Sequence, residues 1–334
     1  MMMDGVELCF PQVNSSCRRL KRPHSDTLLI NSVLSFTSLL TATLNLLVII
    51  SISHFKQLHT STNLLLLSLA VSDFFVGFIM FFQIFFINGC WLFGDIMCVL
   101  YIVLDYLITS VSIVTMVLIS IDRYLAICDP LHYPIKVTPK RVKICVSLCW
   151  ICSLFFTTAL MNENLKQPGR YNACAGECML VFNFIEQFAD FILTFIIPIT
   201  VITVLYMRVF VVALSQARAM RSHIAAVTLQ RSEGVAAKKS EMKAARTLGV
   251  VVVVFLICLC PYFFFTLTGQ DTLLHAPSAI FIMCLFYLNS CLNPIIYAFF
   301  YPWFRKSVKL IVTLQILKTE CVDHYFTAVE CYCL

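Results

Sequence analysis

The sequence predicts an all-α membrane protein, a seven-transmembrane helix bundle with its N-terminus outside and its C-terminus in the cytoplasm. Of its 334 residues, 60% are hydrophobic and 13% are charged, whereas a soluble domain carries roughly a quarter charged residues. Seven segments hold no Lys or Arg and at most two acids, and each reaches the roughly 17–25 residues that cross a bilayer. They are 27–53, 63–87, 96–121, 144–160, 179–207, 247–268 and 276–300.

The basic residues favour this orientation. With the N-terminus outside, 18 of the 24 Lys and Arg residues fall on the cytoplasmic side, as the positive-inside rule requires. The net charge of +6 therefore reflects membrane topology, and no nucleic-acid partner is expected. Four basic residues between positions 18 and 22 conflict locally with this orientation. The first helix is expected to act as an uncleaved signal anchor, because no apolar run precedes it.

Three regions follow from these segments. We expect an extracellular N-terminal segment at 1–26, the seven-helix transmembrane domain at 27–300, and a cytoplasmic amphipathic helix and tail at 301–334. In the first region, Asn14 begins an Asn-Ser-Ser triplet that fits the pattern for N-linked glycosylation.

Six of the 17 cysteines lie in segments predicted to face an oxidising compartment, where disulfides form. We predict a bond between Cys98 and Cys178, which would pull the loop before the fifth helix over the bundle. A second bond would join Cys174 to Cys17 or to Cys9, and from the residues alone the pairing stays open. The six cysteines are Cys9, Cys17, Cys90, Cys98, Cys174 and Cys178.

Acidic residues inside spanning segments are costly, so each is a functional candidate. Asp105 lies about 10 Å from the outer end of the third helix, a depth that suits a ligand. Asp190 lies at a similar depth in the fifth helix, and Glu186 lies one turn above it. The arrangement predicts an outward-opening, negative cavity whose natural ligand is a small cation with two charges. Alternatively, Asp190 and Glu186 face water at the rim and only attract cations.

Aromatic rings near this depth can offer their faces to an ammonium group. Tyr287 is also placed to donate a hydrogen bond to Asp105. The rings considered are Tyr106, Tyr262, Phe263, Phe264 and Tyr287. The candidate ligand-binding residues are Asp105, Asp190, Tyr287, Tyr106, Thr109, Tyr262, Phe263 and Glu186.

A fourth acid, Asp73, lies deeper, near the middle of the second helix. With Ser112, Asn289 and Asn293 on other helices, it can form an oxygen cage for a sodium ion. The alternative is a buried hydrogen-bonded cluster without a metal. Apart from this possible allosteric sodium ion, no cofactor is expected.

Several motifs identify a family. Asp122-Arg123-Tyr124 ends the third helix and Asn293-Pro294-Ile295-Ile296-Tyr297 ends the seventh; together with Trp150, Pro198 and Pro261 they resemble rhodopsin-like G-protein-coupled receptors. The run 289–304 resembles the fingerprint of the trace amine-associated receptors. In that family the upstream loop cysteine bonds the N-terminus, which favours Cys17 with Cys174.

The resemblance implies that Asp105 binds an amine and that Tyr287 is its partner. Asp190 matches a second carboxylate found in the olfactory branch that senses diamines such as cadaverine and putrescine. It further implies signalling through a stimulatory or olfactory G protein to cyclic AMP, at the plasma membrane of olfactory sensory neurons. The physical interpretation agrees, since a five-carbon diamine spans about 7 Å and offers one charge to each carboxylate. The alternative is a monoamine receptor that uses Asp105 alone.

The resemblance also assigns an activation switch. Arg123 would pair with Glu241 in the inactive state, and the basic loop at 208–246 would meet the G protein. The switch residues are Asp122, Arg123, Tyr124, Glu241, Pro198, Ile113, Phe255, Tyr206, Asn293, Pro294 and Tyr297.

Two positions depart from the family pattern. Leu259 and Cys284 stand where many relatives carry tryptophan, and we expect both to enlarge the cavity floor. Other classes of protein fit less well. A retinal protein needs a lysine in the seventh helix, and segment 276–300 has none. A transporter normally shows two related halves, and the sequence shows no internal repeat. The sequence also holds no metal cluster, phosphate loop or catalytic triad, so we expect no enzyme.

Overall fold

The structure, a computed structural model, describes residues 8–18, 23–179, 182–224, 232–267 and 277–314. Within these ranges seven helices are long and apolar enough to cross a membrane, which confirms the predicted all-α bundle. The helices are α1 (His24–His54), α2 (Ser61–Ile87), α3 (Gly94–Cys128), α4 (Tyr133–Lys136), α5 (Pro139–Leu160), α6 (Asn162–Lys166), α7 (Phe184–Asp190), α8 (Ile197–Ile224), α9 (Ser232–Leu267), α10 (Pro277–Phe300) and α11 (Pro302–Val312).

The fifth span is made of α7 and α8, which a π-helical turn at Phe191–Ile196 joins into one rod. The other spans are α1, α2, α3, α5, α9 and α10. The third helix runs to Cys128, past the Asp122-Arg123-Tyr124 motif with which the sequence ended it. Asp122 and Arg123 pair with each other and lie buried within this helix.

Helices α1 and α2 approach closely through small residues. A Cβ atom added at Gly77 would lie 2.9 Å from the Cβ of Ala42, so only glycine fits there. The Ser38 hydroxyl donates to the Gly77 carbonyl at 2.6 Å. Small residues and interhelical hydrogen bonds of this kind bring membrane helices together, because lipid supplies no hydrophobic driving force between them.

Pro294 breaks the hydrogen-bond pattern of α10, because proline has no N–H to offer the carbonyl of Ser290. The side chain of Asn45 on α1 satisfies that carbonyl instead, with Nδ2 at 3.0 Å. The same Nδ2 also donates to the carbonyl of Thr41 at 3.0 Å. Asn45 is fully buried and therefore ties α1 to the deformed part of α10.

Among the described residues, three disulfides close the extracellular end of the bundle. Both predicted bonds are present, Cys98 with Cys178 and Cys17 with Cys174. A third bond joins Cys9 to Cys90 and was not predicted. The sequence offered Cys9 as an alternative partner of Cys174, whereas the structure uses it to fix the N-terminal segment to the turn after α2.

Backbone bonds extend this extracellular cap. The amide of Cys17 donates to the carbonyl of Ala175 at 2.9 Å, and the amide of Ala175 donates to the carbonyl of Ser15 at 2.8 Å. The N-terminal segment is thus docked on the loop before α7. Asn14 lies exposed in the turn of this segment, where a glycan would meet solvent.

Candidate functional site

A cavity of about 400 Å³ lies at the extracellular end of the bundle. Helices α2, α3, α7, α9 and α10 form its walls, and the loop held by the Cys98–Cys178 disulfide contributes Cys178 and Met179. It contains seven of the eight predicted ligand-binding residues, which are Asp105, Asp190, Glu186, Tyr106, Tyr262, Phe263 and Tyr287.

Asp105 has one hydrogen-bonding partner on α10. The Tyr287 hydroxyl lies 3.3 Å from each carboxylate oxygen, as the sequence predicted. Asp105 is partly exposed to the cavity, and Tyr287 is buried. A single neutral donor does not balance a carboxylate, so Asp105 keeps the capacity to bind a cation.

Asp190 is positioned by the end of α7. The π-helical turn begins directly after it, and such turns are frequent at functional sites because they shift the face that a helix presents. The Oδ1 atom of Asp190 is buried and has no hydrogen-bond partner among the described residues. A buried polar atom without a partner is costly, so this oxygen is placed to accept a bond from a ligand.

Glu186 has a structural task as well. Its backbone N–H donates to the Asn183 side chain at 2.9 Å, and its Oε2 accepts from the Asn183 N–H at 2.9 Å. This capping box starts α7. One carboxylate oxygen of Glu186 is therefore committed to the helix end, which matches the expectation of a rim charge better than that of an anchor.

The electrostatics of the cavity are one-sided. Asp105, Asp190 and Glu186 line it, and none of the described lining residues is Lys, Arg or His. Tyr106 and Tyr262 line the same cavity as Asp105 and Asp190. Both rings therefore lie in an environment that favours cations.

The aromatic walls are packed against one another. The ring of Phe263 stacks on Phe195 with centroids 4.5 Å apart, and Tyr262 contacts Phe286 at 4.5 Å. Tyr106 lies 5.7 Å from Phe182. Because the neighbours fix these rings, the apolar walls of the cavity have a defined shape.

Four residues that the sequence analysis placed at this cavity do not line it in the structure. Thr109 lies one helical turn below Asp105 and does not line the cavity, and Phe264 is 62% exposed on the outside of the bundle. Leu259 and Cys284 do not form the floor either. Leu259 is instead buried in the central core, and Cys284 packs against the upper core, whereas Phe263 and Phe286 line the cavity.

Sequence reasoning missed Gln83 on α2 and Tyr101 on α3. Both are buried and line the cavity, and the Tyr101 hydroxyl donates a hydrogen bond to Gln83 Oε1. The Tyr287 hydroxyl lies 3.5 Å from the same oxygen. The network connects α2 through Tyr287 to Asp105. The polar side chain of Gln83, in the span that also holds Asp73, was the available signal.

A second polar cluster lies in the middle of the bundle. Asp73 is fully buried and accepts hydrogen bonds from Ser290 and Asn293, each at 2.8 Å. Ser112 and Asn289 were expected beside Asp73, but neither makes a hydrogen bond to it among the described residues. Ser290, which was not expected, does. The Oδ1 atoms of Asn289 and Asn293 are buried without a partner in the same part of the chain.

The cytoplasmic switch is centred on Asp122. Its Oδ2 accepts from Arg123 Nε at 2.9 Å and from the Thr62 hydroxyl at 2.9 Å, and its Oδ1 accepts from the Tyr133 hydroxyl at 2.7 Å. The predicted pairing of Arg123 with Glu241 stays a prediction, because the Glu241 side chain lies outside the described ones. Among the described side chains, Arg123 is held by Asp122 and by the Thr62 hydroxyl, to which its Nη2 donates.

The other switch residues are divided between packing clusters. Ile113 and Phe255 are buried in the central hydrophobic cluster, Pro198 is buried on α8, and Tyr124 packs against a separate cluster of Ile127 and Val209. The hydroxyls of Tyr206 and Tyr297 are buried without a hydrogen-bond partner in the described part. Both hydroxyls therefore have bonds to gain from a rearrangement of the helices.

Comparisons with known proteins agree with this architecture. Residues 44–297 match the family described as 7 transmembrane receptor (rhodopsin family). The chain is 38% identical to trace amine-associated receptor 13c of Danio rerio, with 96% of each chain covered. It is 40% identical to receptor 8a of Rattus norvegicus over 94% of this chain and 95% of the relative. It is 38% identical to receptor 6 of Homo sapiens over 96% and 95%.

These relatives are receptors and not enzymes. A member of this family spans the plasma membrane several times, binds a small molecule and acts on a heterotrimeric G protein. The chain therefore belongs to the rhodopsin-like G-protein-coupled receptors and, within them, to the trace amine-associated receptors.

Proposed function

We propose that this receptor detects small alkyl diamines of the cadaverine and putrescine type, held between Asp105 and Asp190. The observation that carries the proposal is that both carboxylates line one cavity with no basic residue among its described walls. Each end of a diamine needs an anionic partner, and charge-assisted hydrogen bonds are the strongest available.

The second carboxylate decides between a diamine and a monoamine. A monoamine bound to Asp105 would leave the partnerless Oδ1 of Asp190 unsatisfied. That costs free energy unless water or a proton reaches it. The apolar rings of Tyr106 and Tyr262 suit the methylene chain of a diamine. The single-amine receptor, which uses Asp105 alone, remains the alternative that the experiment tests.

The response of the native receptor to a ligand series is the test. Cells expressing it receive alkyl diamines of increasing length and monoamines of matched length, and cyclic AMP is measured. Because the carboxylates are fixed, the potency of the diamines should peak at one length, near five carbons. Equal potency of the matched monoamines would support the single-amine receptor instead. Asp105→Asn should abolish both responses.

The coupling and location are part of the same proposal. We propose signalling through a stimulatory or olfactory G protein to cyclic AMP, in olfactory sensory neurons, as the family resemblance implies. A dissociation assay across the families of Gα subunits tests the coupling, and activation of inhibitory subunits alone would contradict it. In situ hybridisation in olfactory epithelium tests the location.

We further propose that Asp73 binds an allosteric sodium ion. The partnerless oxygens of Asn289 and Asn293 support this, because sodium prefers oxygen ligands. Replacing sodium with a large organic cation should raise diamine potency in the native receptor, if the ion favours the inactive state. Asp73→Asn should remove this dependence, and an unchanged sodium effect would contradict the site.

A further inference from the structure

We propose that Gln83 on α2 sets how strongly the cavity distinguishes primary ammonium groups from N-methylated ones. The inference rests on the proposed function only in that an ammonium group binds Asp105, and it needs no second charge at Asp190. Gln83 is 2% exposed and lines the same cavity. It acts through Tyr287, whose hydroxyl is within hydrogen-bond reach of both Gln83 and Asp105.

The Tyr287 hydroxyl has one hydrogen to donate and more than one acceptor beside it. Both carboxylate oxygens of Asp105 lie 3.3 Å from it, and Gln83 Oε1 lies 3.5 Å from it. A well-formed bond between two oxygens is about 2.5–3.0 Å long, so the hydroxyl is committed to none of the three. A small change at Asp105 can therefore redirect its hydrogen.

The carboxamide of Gln83 is oriented to accept this hydrogen. The Tyr101 hydroxyl on α3 donates to Oε1, and an amide oxygen has two lone pairs, so a second position stays open for Tyr287. The Nε2 atom faces the sulfur of Met283 on α10 at 3.7 Å. Tyr101 in turn packs against Trp91, with ring centroids 5.2 Å apart. These neighbours hold Oε1 in place beside Tyr287.

A primary ammonium group has three N–H donors, and a buried one needs a partner for each. Two can bond the carboxylate oxygens of Asp105. The third can bond the Tyr287 oxygen once that hydroxyl turns its own hydrogen from Asp105 to Gln83 Oε1. The oxygen of Tyr101 is also close to Tyr287, which makes it the rival acceptor that the experiment has to separate.

A dimethylated ammonium group has one N–H, and Asp105 accepts it. Tyr287 then keeps donating to Asp105, so the Gln83 oxygen has no part in binding this group. Loss of that oxygen should therefore weaken primary amines and leave tertiary amines nearly unchanged. Methylation also changes size and hydration, but these effects occur in native and variant receptors alike and cancel in the comparison.

The test uses the purified full-length receptor and obtains the apparent Kd of each amine from thermal stabilisation. Pentylamine is compared with N,N-dimethylpentylamine, and cadaverine with its N,N,N′,N′-tetramethyl derivative. Gln83→Met keeps the length of the side chain and removes the amide oxygen. It should weaken both primary amines about tenfold, the effect of leaving one buried donor unsatisfied. Both methylated amines should change by less than about twofold.

Three variants serve as controls. Tyr101→Phe removes the rival oxygen and keeps Gln83 Oε1, so the preference for primary amines should change by less than about twofold. In a Tyr287→Phe background the hydroxyl that carries the effect is absent, and adding Gln83→Met should not change the preference further. Gln83→Ser, whose hydroxyl is too short to reach Tyr287, should repeat the result of Gln83→Met with different packing.

Two results would overturn the inference. Equal weakening of primary and tertiary amines in Gln83→Met and Gln83→Ser would mean that Gln83 only supports the packing of the cavity. A preference lost in Tyr101→Phe and kept in Gln83→Met would make Tyr101 the acceptor.

The diamine proposal fails on a different result. If Asp190→Asn leaves cadaverine binding unchanged while Gln83→Met weakens pentylamine and spares its dimethyl derivative, the two-anchor proposal is wrong and the role of Gln83 stands. If Asp190→Asn weakens cadaverine and Gln83→Met does not alter the preference, the role of Gln83 is wrong and the two-anchor proposal stands.

Discussion

Neutralising Asp190 should separate diamines from monoamines. In Asp190→Asn, the side chain keeps its shape but loses the charge that faces the cavity. The Oδ1 atom has no partner among the described residues, so the substitution breaks no internal hydrogen bond of that oxygen. The effect on potency should therefore come from the ligand and not from a collapsed cavity.

The magnitude follows from the bond that is lost. A hydrogen bond to a charged group contributes about 1.5–3 kcal/mol, and each 1.4 kcal/mol is a tenfold change in affinity. Cadaverine should thus lose about 10- to 150-fold in potency. Pentylamine, which has the same carbon chain and one amine, should change by less than about threefold, because its only charge binds Asp105.

The assay is the cyclic AMP concentration response at matched surface expression. The control is Glu186→Gln, a second neutralised acid of the same cavity whose Oε2 serves the helix cap. That variant should change cadaverine potency by less than about fivefold, since a partly solvated charge acts mainly by attraction. Equal losses for cadaverine and pentylamine in Asp190→Asn would refute the two-anchor reasoning. So would a larger loss in Glu186→Gln.

Three further predictions concern the rest of the molecule. The double alanine variant of Cys9 and Cys90 removes the disulfide that links positions 81 residues apart. Its thermal inactivation midpoint should fall by an amount that corresponds to at most about 4 kcal/mol. An unchanged midpoint would show that the bond is dispensable. Asp122→Asn should raise basal cyclic AMP roughly tenfold, because it releases Arg123. Tyr133→Phe should cause a smaller rise, because it removes only one neutral donor to Asp122. Lower basal activity in these variants would contradict this switch. Asn14→Gln should abolish the mobility shift that peptide N-glycosidase produces, and a persisting shift would place the glycan elsewhere.

The spans and the two cavity carboxylates were predictable from the sequence because each depends on a local rule. A charged residue in an apolar segment is visible without any tertiary information, and helical rise gives its depth. The estimated depths placed Asp105 and Asp190 at one cavity, and both line one cavity in the structure. The same reasoning applied to Gln83 would have found the polar network on α2.

Other features depend on tertiary contacts that periodicity does not encode. The π-helical turn after Asp190 shifts the face of the helix, and no residue type requires such a turn. Leu259 seemed to leave space for a ligand, but neighbouring side chains pack around it and it lies 4% exposed in the core. The pairing of Cys9 with Cys90 was one of several that six extracellular cysteines permit.

A structure of the receptor bound to cadaverine and a G protein tests the central claim most directly. The measured quantities are the distances from each ligand nitrogen to the carboxylate oxygens of Asp105 and Asp190. We predict one nitrogen at each carboxylate, at about 2.7–2.9 Å, with the methylene chain against Tyr106 and Tyr262. A ligand with one nitrogen at Asp105 and the other in solvent or at Glu186 would contradict the account.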